Sequence, residues 1–215
     1  MTIMDILSAA VLQRFESLGD NCEFGFVQRA NGYEDGGLLR WSISPLDKLI
    51  LCLDTKFKDF YLFDNLEPSA PDMVRDTGTG LMFHTQMHSI DGQFLLSQAA
   101  RREIYTKEKS KMDHLLDKFR RRMQEPGTIC VYKRNSGVSE SDAKRLQESL
   151  NKQGSSVLLL VRSTNDPARW STVEQSSSGF LVGLIDGFAP YFAADQVSIR
   201  IWNLLLQKTY DHVNM

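Results

Sequence analysis

Cys22 is the residue best placed to do chemistry in this chain. It stands in Phe15-Glu16-Ser17-Leu18-Gly19-Asp20-Asn21-Cys22-Glu23-Phe24-Gly25, after a short apolar run that ends at a Gly turn. A helix is expected to start just after it, with Phe24, Val27 and Ala30 on one face and Gly32 as the stop signal. A thiol at a strand-to-helix turn meets the positive end of the helix dipole and its free backbone N–H groups. That setting favours the thiolate, the nucleophilic form, and offers donors to a developing oxyanion. A free cysteine is equally at home as a small buried hydrophobe. The reactive reading therefore depends on partner residues.

A cysteine nucleophile needs a base and a group that orients the base. Of the four histidines, His114 falls in a charged helix and His212 in the C-terminal tail, whereas His84 ends the apolar run Leu81-Met82-Phe83, a position where functional residues collect in α/β sheets. A half-buried, hydrogen-bonded histidine is the plain alternative for His84. His84 and His88 share a face at H-x₃-H spacing and could ligate a metal together with Cys22, but no HExxH, further Cys/His pair or nearby third acid accompanies them. No metal and no cofactor is expected. For the orienting acid, Asp47 in Ser44-Pro45-Leu46-Asp47 follows the second expected strand, where an acid also complements a helix N-terminus.

The elements that must position these residues alternate strand and helix. Helices are expected over 4–14, 46–57, 93–124 and 197–210, and strands near Phe15–Leu18, Leu38–Ser42, Leu81–His84 and Phe180–Ile185, with Glu67–Pro71 as a loop. Thr128–Tyr132 is a strand, Ser139 to Asp142 a capping-box-like helix start, and Val157–Val161 a continuous apolar strand with both faces covered. Strand, helix and strand in that order form a βαβ unit with parallel pairing. The expected fold is α/β, a single layered domain over residues 1–215 with a central, mostly parallel sheet flanked by helices.

Composition narrows the function classes. With 215 residues, 42% hydrophobic, 24% charged and a net charge of -2, the chain is an ordinary globular one. No apolar run approaches the ~20 residues that span a bilayer, and Met1 to Asp5 does not begin a secretory signal. Three widely spaced cysteines, Cys22, Cys52 and Cys130, make neither a disulfide framework nor a zinc site; a reducing cytoplasm is the expected location. Arg101 to Arg122 carries nine Lys/Arg against four Asp/Glu. Without interleaved aromatics this run reads as a solvated helix face rather than a nucleic-acid surface. Neither nucleic acid nor membrane is expected as a partner; a small-molecule or peptide substrate is. The apolar stripe of residues 201–206 suits internal packing or a homodimer seam.

Gly19-Asp20-Asn21-Cys22, Leu39-Arg40-Trp41-Ser42, Ser44-Pro45-Leu46-Asp47, Phe83-His84, the basic run of Lys107 to Lys111 with Arg120-Arg121, and Cys130 to Arg134 follow one another along residues 15–165. In this order they resemble a bacterial family described as papain-like cysteine peptidases, a domain of unknown function. Leu46 and Lys48 stand where that family has aromatics around the Asp, and Thr85 where an acid often follows the His. The resemblance implies a Cys22–His84–Asp47 site. Cys22 would attack a carbonyl carbon, His84 would accept and return the proton, and Asp47 would hold the imidazole tautomer. The Asn21 amide and the Cys22 N–H would receive the oxyanion. The order Cys, Asp, His differs from the usual papain order of Cys, His, Asn/Asp. Arg121 or Arg134 could bind a substrate carboxylate or phosphate, although ion pairing with Asp117 or Glu125 is the simpler reading of each.

The leading expectation is a cysteine-dependent hydrolase or acyl transferase acting on a peptide, amide or ester. The alternatives are a non-catalytic binding module and a transferase-related protein linked to cell-surface polysaccharide machinery. A transferase finds no G-x-G-x-x-G, Walker or D-x-D motif here.

Overall fold

A computed structural model describes residues 6–154 and 156–214. In chain order the elements are Ala9–Leu12 (α1), Phe15–Ser17 (β1), Glu23–Ala30 (α2), Ser42–Ile43 (β2), Leu46–Asp54 (α3), Leu66–Ala70 (β3), Met73–Asp76 (β4), Met82–His84 (β5), Ser89–Ile90 (β6), Gln93–Phe94 (β7) and Gln98–Gln124 (α4). Then follow Ile129–Lys133 (β8), Glu140–Asn151 (α5), Val157–Ser163 (β9), Val173–Gln175 (β10), Leu181–Ile185 (β11) and Ile199–Asn214 (α6). The start of the expected 4–14 helix, Met4 and Asp5, lies outside the described residues, as does the whole Met1–Asp5 segment.

The central sheet runs β1-β8-β9-β11-β10, with the first four strands parallel and β10 antiparallel at the edge. The expected βαβ unit is β8-α5-β9, paired Ile129↔Val157 through Lys133↔Val161. Side-chain alternation explains why these strands are apolar throughout. Cys130, Tyr132, Leu158 and Leu160 point to one apolar cluster, with α3, α4 and α5. Ile129, Val131, Leu159 and Val161 point to the other, with α1, α2 and α6. On α6, Trp202, Leu205 and Leu206 are buried in that second cluster, so most of the 201–206 stripe packs inside this chain.

One layered sheet was expected; the chain forms two more. An antiparallel sheet, β2-β5-β4-β3, is inserted between α2 and α4, and β6-β7 is a hairpin beside it. Its Leu66, Val74 and Phe83 join the same cluster as Leu158 and Leu160, so the insertion shares a core with the parallel sheet. The expected loop at Glu67–Pro71 is largely strand β3. Pro68 is tolerated there because β3 is the sheet's outer strand and its pairing shifts between Pro68 and Ala70. The expected strand over Leu38–Ser42 shrinks to Ser42–Ile43. Leu38 to Trp41 instead turn around the buried Arg40 guanidinium, which donates to the carbonyls of Tyr33, Asp35 and Gly25. The long helix starts later than residue 93, at Gln98, where the Ser97 hydroxyl accepts from the Ala100 N–H. Among the described residues no helix is long and apolar enough to cross a membrane.

Candidate active site

The Cys22 turn leaves the carboxyl end of β1, and its geometry is set by two residues with left-handed backbone. Gly19 has φ +85°, and a Cβ there would lie 2.5 Å from the Ser44 hydroxyl oxygen, so only glycine fits. Asp20 has φ +75°, a costly conformation for a residue with a side chain. Tyr191, on the segment after β11, holds it there: its hydroxyl donates to the Asp20 carbonyl at 3.0 Å. Asn21 braces the same turn, accepting from the Glu23 N–H at 3.1 Å and donating to the Tyr191 carbonyl at 3.3 Å. Its carboxamide is buried and largely engaged in the turn. In the first turn of α2 the Glu23 N–H is taken by Asn21 and the Phe26 N–H by the Cys22 carbonyl, so the N–H groups of Cys22, Phe24 and Gly25 are the candidate oxyanion donors. Cys22 itself is the N-cap residue of α2, with the thiol half-buried.

His84 is delivered from the inserted sheet. Phe83 points into the core, edge-on to Phe60 and Tyr61, which sends His84 to the opposite, solvent-facing side. The imidazole Nε2 lies 4.0 Å from the Cys22 Sγ. This is a long S–H···N contact, of the kind that tightens when substrate fills a site. The end of β5 is pinned from behind by Glu108 of α4. That carboxylate accepts from the Thr85 hydroxyl at 2.9 Å, the Gln86 N–H at 2.9 Å and the Tyr61 hydroxyl at 2.9 Å. Thr85, where the resembled family often has an acid, thus reaches an acid on another element.

The carboxylate that meets His84 is Asp72, not the expected Asp47. Asp72 Oδ2 lies 2.9 Å from His84 Nδ1, leaving Nε2 for the thiol. Strand register explains the placement. Met73 pairs with His84, and the Thr85 N–H donates to the Asp72 carbonyl at 2.9 Å, so the β3–β4 turn sits beside the imidazole. Asp47 lies in the first turn of α3 with 72% of its side chain exposed, and its ion-pair partner is Lys48 at 3.5 Å. It serves the helix N-terminus, not His84.

Beneath Cys22 lies a buried charge cluster. Lys133, the last residue of β8, is 1% exposed and pairs with the fully buried Glu23 at 2.9 Å and with Asp20 at 4.0 Å. Its ammonium also donates to Asn135 and faces the Phe188 ring. Burial pushes the carboxyls of both Asp20 and Glu23 up, with Lys133 opposing in each case. Burial likewise pushes the Cys22 thiol up to about 11, the Asp72 charge adding to the rise and Lys133 opposing it. The helix N-terminus had suggested a lowered value. Burial, with a carboxylate across the His84 ring, reverses that, and the resting form at neutral pH is the thiol. Cys52 and Cys130, buried in the core, are pushed higher still, to about 12.

The two arginines differ. Arg121 is exposed on α4, and the Asp117 expected to pair with it pairs with Arg120 at 3.3 Å; Glu125 pairs with Arg122 at 2.7 Å. Nothing brings Arg121 to Cys22. Arg134, also exposed, directly follows Lys133 at the end of β8, and its charge acts on Asp20 of the Cys22 turn and on Tyr191. His88 turns away from the thiol to the Pro71 carbonyl at 3.3 Å. Among the described residues no group of His, Cys, Asp and Glu is arranged to hold a metal ion.

Comparison with models of known protein families, with curated proteins and with solved structures finds no match to this chain.

Proposed function

We propose that this protein is a cysteine-dependent acyl-transfer enzyme, a hydrolase or acyl transferase that acts on a peptide, amide or ester. The observation that carries the reading is the relay Cys22 Sγ, His84 Nε2, His84 Nδ1, Asp72 Oδ2, with separations of 4.0 Å and 2.9 Å, assembled from the central sheet and the inserted sheet. The resemblance to papain-like cysteine peptidases supports the same chemistry, with Asp72 in place of Asp47.

Because the thiol is the resting form, His84 acts as a general base. It takes the Sγ proton as sulfur attacks the carbonyl carbon, and Asp72 stabilises the imidazolium that results. The N–H groups of Cys22, Phe24 and Gly25 at the start of α2 receive the oxyanion. His84 then returns the proton to the leaving amine or alkoxide. Water, or a second acceptor, takes the acyl group from sulfur with His84 again as base. Arg134, just after β8, suits a carboxylate on the substrate.

Incubation with p-nitrophenyl acetate tests the reading. The expected result is a burst of p-nitrophenolate, an acetyl group on Cys22 by mass spectrometry, and release beyond one equivalent. Acetylation of Cys22 no faster than that of a free thiol, with no turnover, would leave a binding module as the better description.

A further inference from the structure

We propose that Lys133 is a positioning residue for the nucleophile: its buried ammonium locks the turn on both sides of Cys22 and supplies the positive charge against which the thiolate forms. The proposal rests on the acyl-transfer reading above and assigns a role to a cluster that reading does not use.

The geometry is specific. Asp20 and Glu23 bracket Cys22 in the chain, and both carboxylates turn inward to one ammonium. A buried lysine is costly unless paired, and a buried carboxylate equally so. Here the three charges are held together by further contacts: the Trp202 indole N–H donates to Glu23 Oε1 at 3.3 Å, and Asn135, which accepts from Lys133, itself donates to the Ala189 carbonyl at 2.9 Å. Folding alone would have been served by apolar residues at the end of a parallel strand. Two carboxylates share this buried ammonium, and the atoms that face it, Asp20 Oδ2 and Glu23 Oε2, meet it as ion pairs without a hydrogen bond. Asp72 opposes the thiolate from the β3–β4 turn, and Asp20 and Glu23 flank it on its own turn. Tyr191 lies on the segment after β11, His84 on β5 and Arg134 just after β8. Lys133 is the buried cation among them, and its charge favours the thiolate.

The test compares variants that differ by the ammonium alone. Alkylation of Cys22 by iodoacetamide is followed against pH by mass spectrometry in Glu23→Gln and in Glu23→Gln/Lys133→Met, where no carboxylate at position 23 is left unpaired. Cys52 and Cys130 serve as internal controls, and thermal melts confirm folding. The expected result is an alkylation midpoint about one pH unit higher in the double variant, about tenfold slower reaction at any pH below it, and a wild-type midpoint in Lys133→Arg. If either Glu23 variant fails to fold, Asp20→Asn/Glu23→Gln and Asp20→Asn/Glu23→Gln/Lys133→Met make the comparison with no carboxylate left unpaired at either position. Coincident midpoints in folded proteins overturn the proposal. That result is distinguishable from failure of the acyl-transfer reading, in which wild-type Cys22 reacts no faster than in His84→Ala.

Discussion

Replacing Asp72 with Asn should split the pH profile of Cys22 in a way that no loss of folding can imitate. Asp72 has two opposed effects. It raises the thiol by its charge, and it orients His84 and stabilises the imidazolium through the 2.9 Å contact. A hydrogen bond between charged partners contributes about 1.5–3 kcal/mol when desolvated. Here His84 is 48% and Asp72 56% exposed, so solvent screening reduces this to about 1 kcal/mol, or about fivefold in rate. The same exposure limits the stability cost to about 1 kcal/mol or less, so the variant folds. The assay is the rate of iodoacetamide alkylation at Cys22 from pH 5 to pH 11. In Asp72→Asn the His84-dependent rate at neutral pH should fall about fivefold, while the high-pH limb moves below about 11 because a negative charge has gone. Asp47→Asn should leave both limbs in place. The reasoning is refuted if Asp47→Asn slows the neutral-pH reaction and Asp72→Asn does not.

Three further predictions follow from residues around the site. Burial pushes the Glu16 carboxyl up from 4.5 to about 7, with Arg122 opposing. The folded state holds this proton more tightly than the unfolded chain, so stability falls as pH rises from about 4.5 through about 7, by about 3 kcal/mol. Urea unfolding at pH 5 and pH 8 should show that loss in the wild type and a much smaller one in Glu16→Gln. Gly19→Ala should destabilise by about 1–3 kcal/mol, from the strained positive φ and the encounter with the Ser44 hydroxyl; a melt within 1 °C of wild type would contradict this. Thr85→Val should cost about 1–2 kcal/mol by removing the hydroxyl that Glu108 accepts from, and should slow Cys22 alkylation at neutral pH by loosening the strand end that carries His84.

Local pattern and long-range pairing divided the work of reading this sequence. The apolar run Val157–Val161 announces a strand covered on both faces, and the Ser139 cap announces α5, because both signals lie within one element. Cys22 and His84 were legible for the same reason: each sits where an apolar run meets a turn. Their meeting depends on an antiparallel sheet whose strands are two to five residues long, too short for periodicity to register. Asp72 was hidden by the same shortness. Pro68 and Pro71 made Glu67–Pro71 look like a loop, and Asp47 lay closer to an expected strand. The signal was present, since Pro71-Asp72 between Leu66–Ala70 and Met73–Asp76 is turn chemistry between two strand-like runs. Lys133 entered the sequence reading only as part of the Cys130 to Arg134 segment; it is buried beside Glu23, 110 positions earlier. Periodicity along one segment holds no record of a pairing across so many residues.

The central claim is that His84 activates Cys22. The most direct measurement is the rate of Cys22 acetylation by p-nitrophenyl acetate at pH 7 in the wild type and in His84→Ala, with the modified residue identified by mass spectrometry. A thiol that rests protonated needs its base, so Cys22 alone should be acetylated, at least about tenfold faster with His84 than without it. Equal rates in the two proteins, or acetylation spread evenly over Cys22, Cys52 and Cys130, would contradict the account.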